Sequence, residues 1–164
     1  MILQGRATSE GTRRYRERHK KDCLPNHFRE AGELIASSIG LGTYLGEPDE
    51  QTDALVTEAV VESVRHGVNF IDSSINYRYQ HSELSVGKGI WHLVESGEVS
   101  RDELIICTKG GFLPHLNQNQ ADWFYRQYVE PSNSALNMTD LVAKQHCIHP
   151  EFLLEQLNCS LTVE

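Results

Sequence analysis

Long apolar runs are missing from this 164-residue sequence. Nothing approaches the ~20 consecutive apolar residues that a membrane-spanning helix needs. The short apolar start, Met1 to Leu3, runs straight into Gln4, Gly5 and Arg6, which leaves no hydrophobic region for a secretory leader. Both absences predict a cytoplasmic chain without membrane contact. Surplus positive charge is missing as well: 15 Lys and Arg face 23 Asp and Glu, a net charge of −8. A chain of that sign has no excess cations with which to release counterions from phosphates, so nucleic acid is not an expected partner. The exception is a basic stretch at 12–21 (TRRYRERHKK), part of a polar, weakly patterned N-terminal extension over 1–27, which reads as a solvated arm or, as the alternative, a site for an anionic partner.

Cysteine is sparse. Cys23, Cys107, Cys147 and Cys159 are widely spaced with no CxxC pair, so reduced thiols are expected rather than a disulfide framework. His146, Cys147 and His149 form an HCxH cluster. Neighbours this close in sequence rarely close a tetrahedral shell by themselves, and no metal is expected.

What is present is an alternation of strand and helix signals from residue 28 onward. Residues 27–37 suit a small hairpin, and Ser38–Tyr44 a short strand ending in glycines. Thr52–His66 carries Val56, Ala59, Val60 and Val64 at spacings of three and four, with acidic residues at its start and Gly67 as its stop. Val68–Asp72 then reads as a buried strand. A second helix follows from Ser82 to about Glu95, with Leu84, Gly87, Ile90, Trp91 and Val94 toward the core, and then a strand at Leu104–Thr108. This order predicts parallel strands joined by right-handed crossovers. Residues 110–138 break the pattern with Gly, Pro, Asn and aromatic residues; a loop of this length in a compact domain is usually functional. Within it 122–128 suits a short helix, and 141–143 a strand or turn. Pro150 opens a final helix that buries Phe152, Leu153 and Leu157.

Three chemically active residues fall at related places. Asp72 ends the second strand, Tyr77 lies in the loop after it, and Lys109 ends the third. Adjacent strands are ~4.8 Å apart, so the three groups can converge at the C-terminal strand ends. A phenol can give a proton to a carbonyl oxygen as hydride reaches the carbon; a neighbouring ammonium favours that by stabilising the phenolate, and a carboxylate holds the ammonium. A strand-end aspartate is also a common helix cap or turn residue, and tyrosines are common in loops. The three positions alone leave both readings open.

The words around them are more specific. GLGTY (40–44), FIDSSINY (70–77), SELSVG (82–87) and CTKG (107–110) occur in this order, and together the region from about 33 to 164 resembles the N-terminal half of the aldo-keto reductase family. The resemblance implies an α/β fold, a (β/α)8 TIM barrel of which these residues supply the first three to four βα units. The implied domain spans 28–164, with an inserted loop at about 110–138. It further implies NADPH-dependent reduction of an aldehyde or ketone, with Tyr77 as proton donor and Lys109 and Asp72 as its tuning pair. Gly42, Thr43 and Tyr44 match the segment along the nicotinamide end of the cofactor, and Asp72 the residue that meets the nicotinamide ribose. Arg78 stands where the family usually has glycine; Arg78-Tyr79-Gln80 resembles a subgroup with a long insertion after the third strand, which the aromatic stretch 111–138 would supply to the substrate pocket.

The same resemblance implies a catalytic histidine on a fourth strand and a 2′-phosphate grip on the last strands, both beyond residue 164; His146 and His149 precede the last helix and do not replace the former. Such a barrel needs ~250 residues. The expectation is therefore a truncated form, weak in NADPH binding and prone to self-association through open strand edges. A short, non-catalytic product acting as an interaction or regulatory partner is the alternative.

Overall fold

The computed structural model describes residues 4–114, 120–131 and 135–162. Parts of the expected insertion (115–119 and 132–134) and the apolar start at 1–3 lie outside the described residues. The chain begins with helix α1 (Ser9–His19), which corrects the reading of 12–21 as a solvated arm. Its signal escapes an apolar count because polar contacts dominate its docking. Thr8 caps the first turn by accepting from the Gly11 amide, and arginines occupy the last turn. Tyr15 is fully buried, and its hydroxyl donates to the Val64 carbonyl at 2.5 Å. Arg14 and Arg18 both donate to the buried Glu103 carboxylate, at 2.8 and 2.6 Å, and Arg14 also reaches Asp102. The basic stretch thus neutralises acids inside the chain.

Gly11 is where α1 comes closest. A methyl group there would lie 2.2 Å from the Asp102 carbonyl oxygen, a backbone atom that cannot rotate away. Gly11→Ala should therefore lift α1 from its seat. Limited proteolysis near residues 13–21 is expected to become rapid in the variant, and unchanged cleavage would contradict this close packing.

After α1, strands β1 (Phe28–Ala31) and β2 (Leu34–Ser37) form the expected antiparallel hairpin. Asn69 fastens it to the rest: its side-chain amide donates to the Ile35 and Glu103 carbonyls and its oxygen accepts from the Ser37 amide. The hairpin and α1 therefore close the N-terminal end of the central sheet.

That sheet comprises β3 (Leu41–Gly42), β4 (Phe70–Asp72) and β5 (Ile105–Cys107), all parallel in the order β3-β4-β5. Among the described residues it does not close into a barrel. Helix α2 (Glu50–Arg65) connects β3 to β4, and α3 (His81–Glu95) connects β4 to β5. Asp49 caps α2 by accepting from the Thr52 amide at 2.7 Å. The core joins Val60 and Val64 of α2, Ile71 of β4, Val86, Ile90 and Leu93 of α3, and Leu104. The apolar repeat of α2 is thus the buried face. Leu84 corrects the reading of α3, being 43% exposed; Ser82, Glu83, Ser85 and Val86 beside it are buried, while Gly87 and Ile90 face inward as expected. Glu83 can occupy the interior because its carboxylate accepts from the hydroxyls of Thr108 and Ser160.

Beyond β5, a short helix α4 (Gln120–Phe124) continues as a wider π turn over Tyr125–Val129. Helix α5 (Pro150–Leu161) begins with proline at its first position, as expected. Phe152 is buried, but Leu157 is 46% exposed, against expectation. A second core gathers Leu113, Phe124, Leu136, Cys147 and Phe152. Gln156, nearly fully buried, accepts from the Gly111 amide at 2.6 Å and donates to the Phe112 carbonyl at 2.8 Å, so one side chain pins the chain just after β5.

Candidate active site

Register brings the site together. Gly42 pairs with Asp72, and Asp72 with Cys107, so the last residues of the three strands lie in one row. Lys109 is two positions past Cys107 and, by the two-residue period of extended chain, faces the same side. Hydrogen bonds prolong the ladder beyond the strands: Thr43 N to Asp72 O at 3.1 Å and Ser73 N to Cys107 O at 2.8 Å. The site therefore rests on backbone already fixed by the sheet.

The Lys109 ammonium donates to both Asp72 oxygens, at 2.8 and 2.9 Å, and to the Ser73 carbonyl at 2.7 Å. Its Nζ is 4.7 Å from the centre of the Tyr77 ring. Partial burial lowers the pKa of this ammonium, but hydrogen bonding with Asp72 and with Tyr77 outweighs that, and the net shift is upward. The lysine therefore stays charged beside the phenol. Asp72 and Lys109 side chains are 41% and 46% exposed. An ion pair that open to water contributes about 1 kcal/mol or less to stability, so its placement is the feature of interest.

Tyr44 completes the cluster, its ring edge-on to Tyr77 with centroids 5.0 Å apart. The structure thus brings together Asp72, Tyr77, Lys109 and Tyr44. Gly42 is exposed, and a methyl built on it would meet nothing within 4 Å, so open space lies over this strand end. Thr43 is different. It is 3% exposed, and its hydroxyl donates to the Asp72 carbonyl (3.2 Å) and the Ser73 hydroxyl (3.0 Å). Its side chain lies beneath the site and braces it.

A cavity of about 400 Å³ adjoins the cluster, with Tyr44, Leu45, Asn76, Arg78, Phe112 and Gln145 among its lining residues. Of the aromatic stretch expected to shape a pocket, Phe112 does line it. Phe124 and Tyr128 turn away and pack on Phe152 at ring distances of 5.9 and 5.2 Å, with Trp123 against Tyr128. Their size favours a core of their own over an open rim. In the HCxH segment Cys147 is buried in that second core, the His146 ring packs on Phe112, and His149 caps α5. Among the described residues no group of three or more His, Cys, Asp or Glu side chains is arranged to hold a metal ion.

Residue type and spacing did not reveal the buried polar network behind Tyr77. Arg78 donates to Asp53 at 2.8 Å, Ser82 at 3.1 Å and Ser85 at 3.2 Å, and His81 shares Asp53 at 2.8 Å. Burial alone raises the Asp53 carboxyl, yet the hydrogen bonds from His81 and Arg78 overcome it and hold its pKa below the usual value. A depressed folded-state pKa stabilises fully above the unfolded value, about 4 for aspartate, and that contribution is lost as pH falls through the folded value. The Asp53 contacts should therefore loosen only below about pH 4, and Asp53→Asn should flatten stability against pH in that acid range. An unchanged acid-unfolding curve for Asp53→Asn would show that the pair contributes nothing.

Comparison with known proteins agrees with this architecture. The family model described as the aldo/keto reductase family matches residues 38–159, which span β3 to α5. A 6-dehydroglucose reductase of Novosphingobium aromaticivorans is 26% identical over 137 residues, covering 79% of this chain and 44% of the relative. The chain thus spans less than half the length of that relative. With parallel strands that end in a lysine–aspartate–tyrosine cluster and a family match across most of its length, the chain belongs to the aldo/keto reductase family of oxidoreductases.

Proposed function

We propose that this protein reduces an aldehyde or ketone to the alcohol with NADPH, and that Tyr77 donates the proton. The observation that carries the proposal is Lys109, held by Asp72 against the Tyr77 ring at the strand ends. Open space over Gly42 and the exposed Tyr44 ring two residues on would suit a flat nicotinamide there. When bound, the cofactor supplies hydride to the carbonyl carbon.

The chain's own residues account for the rest of the reaction. As the carbonyl oxygen gains negative charge, the Tyr77 hydroxyl gives it a proton, and the Lys109 ammonium steadies the phenolate left behind. Asp72 fixes the ammonium, and Gly42 and Asp72 would border the nicotinamide and its ribose when the cofactor is bound. Tyr44 and Phe112 offer apolar faces to the substrate, with Asn76 and Gln145 as hydrogen-bonding groups around them. The relative's name makes a sugar carbonyl the first substrate to try. On this reading, the three strands are the opening units of a (β/α)8 barrel whose later strands add further cofactor and catalytic contacts.

The test is NADPH consumption with a panel of sugar and simple aldehydes, alongside Gly42→Val. The valine should fill the space above the strand end and weaken NADPH binding at least tenfold, about 1.4 kcal/mol, read by quenching of protein fluorescence. No NADPH consumption with any carbonyl, or equal binding by the variant, would sink the proposal.

A further inference from the structure

We propose that Arg78 is a positioning residue for Tyr77, its buried guanidinium holding the left-handed turn from which the tyrosine ring is aimed; this rests on the reading of Tyr77 as proton donor. The turn is unusual. Arg78, Tyr79 and Gln80 have φ of 48°, 56° and 72°, three consecutive non-glycine residues in left-handed backbone. Each such residue is sterically disfavoured and persists only where its surroundings over-determine it. If the backbone alone required this conformation, glycine would adopt it with less strain. The arginine side chain therefore has to supply what fixes the turn.

It has the contacts to do so. Its side chain is 1% exposed, and its nitrogens reach three segments. Nη1 donates to Asp53 on α2 (2.8 Å) and to the Glu47 carbonyl in the 44–48 loop (3.2 Å). Nε and Nη2 donate to Ser82 (3.1 Å) and Ser85 (3.2 Å) on α3. The planar fork of a guanidinium suits several partners at fixed angles, which a lysine cannot match. Asp53 offsets the buried charge. Ser82 passes the constraint on by donating to the Thr43 carbonyl at 2.6 Å, and the next residue, Tyr44, sets its ring against Tyr77. One side chain thus ties the backbone behind both tyrosine rings.

Arg78→Gly separates this role from a general structural one, because glycine relieves the backbone strain while removing the contacts. In the variant, NMR cross-relaxation between the Tyr44 and Tyr77 rings should disappear, while that between the Tyr15 ring and Val64 in the core persists. For carbonyl reduction, kcat should fall about 100-fold, the scale of a small misplacement of a reacting group, with the KM for NADPH within twofold of wild type. If Arg78→Gly does not fold, Arg78→Lys carries the same test: charge is kept, the fork is lost, and the same split is expected at about tenfold in kcat. Intact cross-relaxation between the two tyrosines, or a KM for NADPH that rises as kcat and the core signals are lost, would overturn the proposal. A wild-type protein without carbonyl reduction would instead defeat the reading of Tyr77, and the cross-relaxation would still decide whether Arg78 places the ring.

Discussion

Replacing Tyr77 with phenylalanine should lower kcat/KM for carbonyl reduction by about 1,000-fold, within the range that a positioned general acid contributes. The ring would remain, so its packing against Tyr44 and the space over Gly42 should survive. The hydroxyl goes, and with it the proton to be transferred and its hydrogen bond with Lys109. NADPH affinity should consequently stay within twofold, and that combination is the informative result. A large loss of both would indicate that the loop had collapsed, and full retention of turnover would show that another group delivers the proton. The Lys109–Asp72 pair makes the expectation specific: the ammonium is placed by three hydrogen bonds from its own nitrogen to two residues, and it faces the tyrosine ring. A cation held so firmly beside a phenol in water-accessible surroundings contributes little to folding; in the proposed reaction it would balance the charge left on the phenol.

Tyr15→Ala should be the most damaging change away from the site. The ring is completely buried between α1 and the main core, so its loss removes a large apolar contact and leaves a void. Deleting a buried aromatic ring costs about 3–5 kcal/mol, and the Val64 carbonyl would also lose its hydroxyl partner. Against a total stability of about 5–15 kcal/mol for an ordinary domain, this is about a fifth or more of what holds the fold. Urea unfolding followed by tryptophan fluorescence would measure it. A loss below 1 kcal/mol would mean that α1 is an ornament to the core and not part of it.

The parallel sheet and the meeting of Asp72, Tyr77 and Lys109 were largely legible in the sequence, because both depend on local strand and helix patterns. The apolar residues of α2 recur with the helix period, and Asp72 and Lys109 fall just where buried strands give way to polar residues. Other parts were hidden because they depend on contacts between distant segments. α1 docks through arginines on Glu103 and a single buried ring, and no hydrophobic repeat records that. Leu84 and Leu157 look like core residues, but tertiary packing turns them outward while Glu83 and Gln156 turn in. The direction of Phe124 and Tyr128, toward α5 instead of the cavity, depends on contacts between segments far apart in the chain. The left-handed run at 78–80 contains no glycine to announce it.

Gln156 carries a practical consequence for anyone who would redesign this protein. Its amide takes one hydrogen bond from Gly111 and gives one to Phe112, reproducing with a side chain what a neighbouring strand does with its backbone. Lys109 is therefore shielded from events further along the loop, since the anchor lies between them. Substitutions in 120–140 that keep Phe124 and Leu136, which pack against Phe152 of α5 and so hold Gln156 in place, should leave the lysine in register. Gln156 marks the border between what can be varied and what must be inherited unchanged.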